Sequence, residues 1–295
     1  MGSLLDLLFI PLAYPFMVRG LLAVVMVGVV CAAVGTYVVL RGMAFFGDAL
    51  AHAILPGLAV GYLISGGARG PLFWWGLLTA ILTAIAIGAV GKRTQMKEDT
   101  AIGIIFAGMF ALGIALISTV RSYAVDLAHF LFGDVLSVTP GDLVLIVVFG
   151  GLVLLTIAAF FKEFLVLSFD PILAATLRLP ATLLHYLLLI LIAVAVVVSL
   201  RTVGVALMVA MLVTPAATAY LLTRRLLPMM ALAAFIGAIS GVVGLYLSYY
   251  ISVASGAAIV LVCTALFLLA LLFAPGRGLV WEWLRRGHSS KGGRQ

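Results

Sequence analysis

Apolar runs of about 20 residues recur along the whole chain, separated by short polar or basic breaks. A run of that length crosses bilayer hydrocarbon as one α-helix. The pattern predicts spans at roughly 18–40, 43–65, 71–91, 100–120, 143–161, 181–200, 203–222, 229–252 and 255–274. The expected fold class is therefore all-α: a polytopic helical membrane protein with about 8–9 transmembrane helices. Residues 3–17 are apolar but broken by Pro11 and Pro15. They read as an interfacial segment lying at the membrane surface.

Two breaks are longer than simple turns. The first, 121–142, contains His129 and the run Phe130-Leu-Phe-Gly-Asp134. Its aromatic content predicts a short helix or re-entrant piece packed on the bundle. The second, 162–180, carries Asp170-Pro171, a helix start with Asp as N-cap and Pro at the first helical position. Ile172, Leu173, Ala175 and Thr176 continue it, and Pro180 stops it. A short, partly apolar helix between two spans is either a docking surface or a helix lying passively at the interface. Small residues four apart, Gly103/Ala107/Ala111 and Ala233/Gly237/Gly241, predict close helix contacts. In the span 203–222, Pro215 leaves the Met211 carbonyl without its usual donor, and Thr214 or Thr218 can replace it.

Composition agrees with the pattern. The 295 residues are 65% hydrophobic and 9% charged, which no soluble domain of this size sustains. The net charge of +7 does not call for nucleic acid. With the C-terminus placed in the cytoplasm, only Arg19, Arg69, Arg121 and Arg201 of the 17 Lys and Arg fall outside. That bias sets the expected orientation. Residues 1–276 form the membrane domain, and 277–295 are a basic cytoplasmic tail that includes His288 and faces anionic lipid. Cys31 and Cys263 lie in apolar spans and read as packing residues. The N-terminus has no basic region before its apolar run and predicts no cleavable signal peptide. No phosphate-binding Gly-rich loop is present, and nothing pairs a nucleophile with a base. The chain reads as a non-enzyme. Any energy source other than an ion gradient must come from another chain.

The candidate chemistry lies in Arg41-Gly-Met-Ala-Phe-Phe-Gly-Asp-Ala-Leu-Ala-His-Ala-Ile-Leu-Pro-Gly57. Asp48 is the one acidic residue of the ten that falls well inside an apolar span. His52 and Pro56 follow at four-residue intervals, so a helix places all three on one face. A carboxylate in hydrocarbon costs several kcal/mol unless something compensates. Three compensations fit. Asp48 can hydrogen-bond and hold the imidazole as structural glue; it can relay protons with His52; or the two can ligate a divalent metal. Pro56 has no N–H, so the His52 carbonyl is free to face an ion or a cavity. Two ligands do not complete a coordination sphere, whereas a symmetric dimer supplies two Asp and two His. Oxygen and nitrogen donors without thiolate suit Mn²⁺, Zn²⁺ or Fe²⁺ rather than Cu⁺. His129 and His185 read as packing residues at span ends.

The residues from Tyr37 to Gly57 resemble the permease subunits of bacterial ABC importers for manganese, zinc or iron, the ABC-3 family. Phe130–Asp134, Ser168–Ala174, Val203–Leu207 and Thr214–Ala219 support the resemblance, which runs from about residue 7 to 275. It implies an ABC-importer permease of about eight spans, homodimeric, in the bacterial cell membrane. A separate cytoplasmic ATPase would bind and hydrolyse ATP, and an extracytoplasmic metal-binding protein would deliver the cargo. The family's Gly-Asp-x-x-x-His pattern assigns metal coordination to Asp48 and His52. Its coupling helix, which rests in a groove of the ATPase, falls on Phe169, Asp170, Pro171, Ala174 and Leu177. The family more often has Gly at the position of Arg178. Outside the resemblance, the competing reading is a proton-coupled secondary metal transporter with Asp48 as relay.

Overall fold

The computed structural model describes residues 9–65, 69–94, 96–119, 135–169 and 171–274. Among these, nine helical spans are long and apolar enough to cross a membrane, the number the hydropathy pattern predicts. In chain order the helices are α1 (Pro15–Leu40), α2 (Phe46–Ala53), α3 (Leu55–Ser65), α4 (Arg69–Thr94) and α5 (Glu98–Ser118). Then follow α6 (Pro140–Ala159, with a π-helical turn at Ile146–Gly150), α7 (Phe161–Phe169) and α8 (Pro171–Thr176). The chain continues through α9 (Ala181–Val203), α10 (Val205–Leu222), α11 (Leu226–Ile251) and α12 (Ser255–Phe273). α2 and α3 together make one of the nine spans.

Prolines and caps move the boundaries. Pro15 opens α1 at its first turn, where no backbone N–H is needed, and Pro11–Ala13 form a 3₁₀ turn before it. Pro15 thus begins the first span instead of ending an interfacial segment. Pro140 opens α6 behind a capping box in which Thr139 and Asp142 bond each other's backbone N–H. The break expected to run to 142 therefore ends at Thr139. His129 and the Phe130–Asp134 run lie outside the described residues. The break expected at 162–180 is largely helical. α7 buries Phe164 and Leu167 against the bundle, and Phe164 meets Tyr37 edge-on at 5.7 Å. Charged Lys162 and Glu163 disguise that amphipathic helix as a loop.

α1 and α9 form the centre: 72% of the most apolar window of each is buried, against 17% for α5 and α12. α1 packs against α10 and α11, and α9 against α4. Lipid offers no hydrophobic drive between helices, so close approach of small residues supplies the contact. At Gly35 an added Cβ would lie 1.8 Å from the Leu212 carbonyl oxygen. Gly28 and Gly237 meet back to back, the latter from the second predicted stripe. The first stripe faces away from the chain: Ala107 and Ala111 are exposed, and nothing lies within 4 Å of a Cβ at Gly103. Cys31 and Cys263 are buried and unbridged, as packing residues should be. Pro215 sits inside α10, and the Thr218 hydroxyl donates to the Thr214 carbonyl at 2.7 Å, not to Met211 as the sequence led us to expect.

Polar groups tie the helix ends together. At one end Arg201 Nε donates to Asp142 at 2.8 Å, and the guanidinium lies 5.4 Å over the Phe73 ring. This joins α9, α6 and α4. At the opposite end Arg41, just past α1, donates to His185 of α9 at 3.0 Å and lies 3.8 Å from Glu98 of α5.

Candidate functional site

The turn that delivers the site is built on Gly42. α1 ends with Gly42 N–H donating to Val39 and Met43 N–H to Val38, at 3.2 and 3.0 Å. This pair of bonds requires a left-handed residue between them, and Gly42 has φ +70°. The chain then re-enters the bundle within four residues as α2. Phe46, Ala49, Leu50 and Ala53 of α2 are buried, while Asp48 and His52 lie on its remaining stripe. Asp48 falls in the first turn, where the helix dipole favours a carboxylate.

Both candidate ligands are half-buried, with side-chain exposures of 34% for Asp48 and 26% for His52. The His52 Nδ1 lies 3.0 Å from the Asp48 backbone carbonyl and 3.6 Å from its carboxylate. The glue reading required the carboxylate to hold the ring; the backbone holds it instead. A carbonyl only accepts, so Nδ1 carries the proton and the lone pair stands on Nε2. The ring is steadied by edge contacts to Phe106 and Phe110 of α5, at 6.1 and 5.8 Å. Those two phenyls stack on each other at 5.7 Å. The arrangement leaves a carboxylate and an imidazole nitrogen available on one turn of helix, which suits capture of a divalent cation.

Pro56, four residues beyond His52, also packs on α5. The helix is interrupted at Ile54, and Pro56 is buried in α3, where a Cβ on Gly113 would stand 3.1 Å from its ring. Among the described residues no group of three or more His, Cys, Asp or Glu is placed to hold a metal. Among the described residues, one copy therefore offers two ligands here. Phe106 and Phe110 were not foreseen; their four-residue spacing on α5 was the available signal.

His185 proves to be a hydrogen-bond partner. Arginine has no acceptor, so His185 Nδ1 accepts from Arg41. Burial pulls the Arg41 guanidinium below its ordinary pKa, opposed by Glu98. It stays charged, since arginine starts so high.

The expected docking residues follow α7. Phe169 at the end of α7 is 58% exposed, Leu173 of α8 44% and Leu177 in the turn that follows 55%. Ala174 is buried against the bundle, and Pro171 opens α8. Asp170 lies outside the described residues, as do the 277–295 tail and His288. α8 ends with Leu179 N–H donating to the Ala174 carbonyl at 3.1 Å. Arg178 occupies the left-handed position of that cap, at φ +54°, where glycine is the favoured residue.

Comparisons with known proteins agree with this architecture. A family model described as the ABC 3 transport family matches residues 13–274. The manganese transport system membrane protein MntC of Halalkalibacterium halodurans is 46% identical over 275 residues, 93% of this chain and 92% of that protein. MntC of Listeria monocytogenes is 47% identical over 270 residues, 91% and 94% of the two chains. Among solved structures, a chain of PsaBC from Streptococcus pneumoniae in complex with Fab superposes with a TM-score of 0.80 at 38% identity. The superposition covers 93% of this chain and 98% of that one. With the match running from α1 to the end of α12, this multi-pass membrane protein belongs to the ABC 3 transport family.

Proposed function

We propose that this chain is the transmembrane permease subunit of an ATP-driven importer for a divalent transition metal, Mn²⁺ in preference to Zn²⁺ or Fe²⁺. One observation carries the site assignment. The backbone carbonyl of Asp48 orients His52, which leaves the Asp48 carboxylate and His52 Nε2 free for cargo. Two ligands hold a cation weakly, and a second copy related by a twofold axis doubles them. The metal preference leans on relatives named for manganese transport and on a donor set without thiolate.

The energy source is a cytoplasmic ATPase. Its docking surface is the segment Phe169, Asp170, Pro171, Ala174 and Leu177, in which Phe169, Leu173 and Leu177 offer exposed apolar side chains to a protein groove while Ala174 packs on the bundle. Closure of two ATPases would rock the permease copies and alternate access to Asp48 and His52. An extracytoplasmic metal-binding protein delivers the ion at the opposite face. The orientation that follows places the C-terminus in the cytoplasm of a bacterial cell.

Reconstitution with the partner ATPase and binding protein tests this. ATP hydrolysis should rise with Mn²⁺ more than with Zn²⁺ or Fe²⁺. Uptake that proceeds without ATP and collapses with an uncoupler would overturn the proposal in favour of a proton-coupled carrier.

A further inference from the structure

The helix ends that carry Arg41, Lys92, Glu98 and His185 enclose a cavity of about 360 Å³. Its inner wall is apolar, with Met43 and Leu189 each 1% exposed. Its mouth is formed by exposed Lys92, Met96 and Thr182. Lys92 donates to the Thr182 hydroxyl across that mouth.

The polar groups inside are incompletely matched. The Arg41 side chain is 11% exposed, and only its Nη2 is used, on His185. Arg41 Nη1 is buried without a partner, and so is Glu98 Oε2. The 3.8 Å between Arg41 and Glu98 is too long for a hydrogen bond. The cavity thus holds an unmet donor, an unmet acceptor, and two cations against one anion. A metal cation is repelled by Arg41 and Lys92. Water would satisfy the orphan atoms but not the excess positive charge.

We propose that this cavity binds the headgroup of an anionic phospholipid bearing free hydroxyls, of the phosphatidylglycerol class. The phosphodiester accepts from Arg41 Nη1 and Lys92, and a headgroup hydroxyl donates to Glu98 Oε2. The cavity opens between the ends of helices that span the membrane, where a bilayer presents its headgroups, and its apolar wall suits the start of an acyl chain. Leu167 of α7 contributes to the lining, so the lipid braces the helix leading into exposed Phe169, Leu173 and Leu177. The site depends on neither the cargo nor the energy source.

Native mass spectrometry of the full-length protein during delipidation tests the site. One phosphatidylglycerol per chain should survive conditions that strip phosphatidylcholine. Lys92→Gln and Arg41→Gln should each lower retention about tenfold, the loss of one charge-assisted contact. Lys92 is exposed, so Lys92→Gln should keep the wild-type melting temperature in lipid-free detergent even if Arg41→Gln disturbs folding. Unchanged retention in Lys92→Gln would overturn the site. If inorganic phosphate alone displaces the retained lipid, the source is free phosphate and the lipid assignment fails.

Discussion

Replacing Asp48 by asparagine separates a ligand from structural glue. Asn keeps the shape and removes the charge. The bond that orients His52 comes from the residue-48 carbonyl, so it survives the substitution. The carboxylate stands 3.6 Å from Nδ1 and is 34% exposed, so its attraction to the ring is largely screened. The expected loss of fold stability is below about 1 kcal/mol. Transport should respond differently. Losing a charged ligand removes roughly 3 kcal/mol of cation binding, about a hundredfold. The assay is radioactive Mn²⁺ uptake into proteoliposomes holding the permease, its ATPase and the binding protein. Thermal unfolding is measured on the same preparations. His52→Gln should match the transport loss. Wild-type uptake in Asp48→Asn would refute the assignment. A fall in melting temperature that accounts for the whole transport loss would restore the glue reading.

Two further outcomes follow from the fold. Arg178→Gly should stabilise the protein by about 1 kcal/mol, because glycine relieves the left-handed strain at φ +54°; a lower melting temperature would contradict the cap geometry. Gly35→Ala should destabilise it by about 1–3 kcal/mol, since the new Cβ would meet the Leu212 carbonyl and neither α1 nor α10 can yield there without backbone movement; an unchanged melting temperature and monodisperse elution would show that crossing to be looser than described.

Sequence alone determined the all-α membrane class, nine spans near their observed places, and a carboxylate and imidazole one helical turn apart. These features are local. Span length follows from hydropathy, and the spacing of Asp48 and His52 follows from 3.6 residues per turn. The tertiary structure decided which groups are left to act. Sequence could not say that a backbone carbonyl, not the carboxylate, holds His52, because one spacing serves either acceptor. Nor could it bury Pro56 against Gly113 or set Phe106 and Phe110 on the imidazole ring. Arg41 finds His185 across 144 residues of chain, and no periodicity encodes that meeting. In a membrane the lipid-facing and protein-facing sides of a helix are both apolar. Hydropathy therefore marks the spans, while shape and the few polar contacts choose their partners.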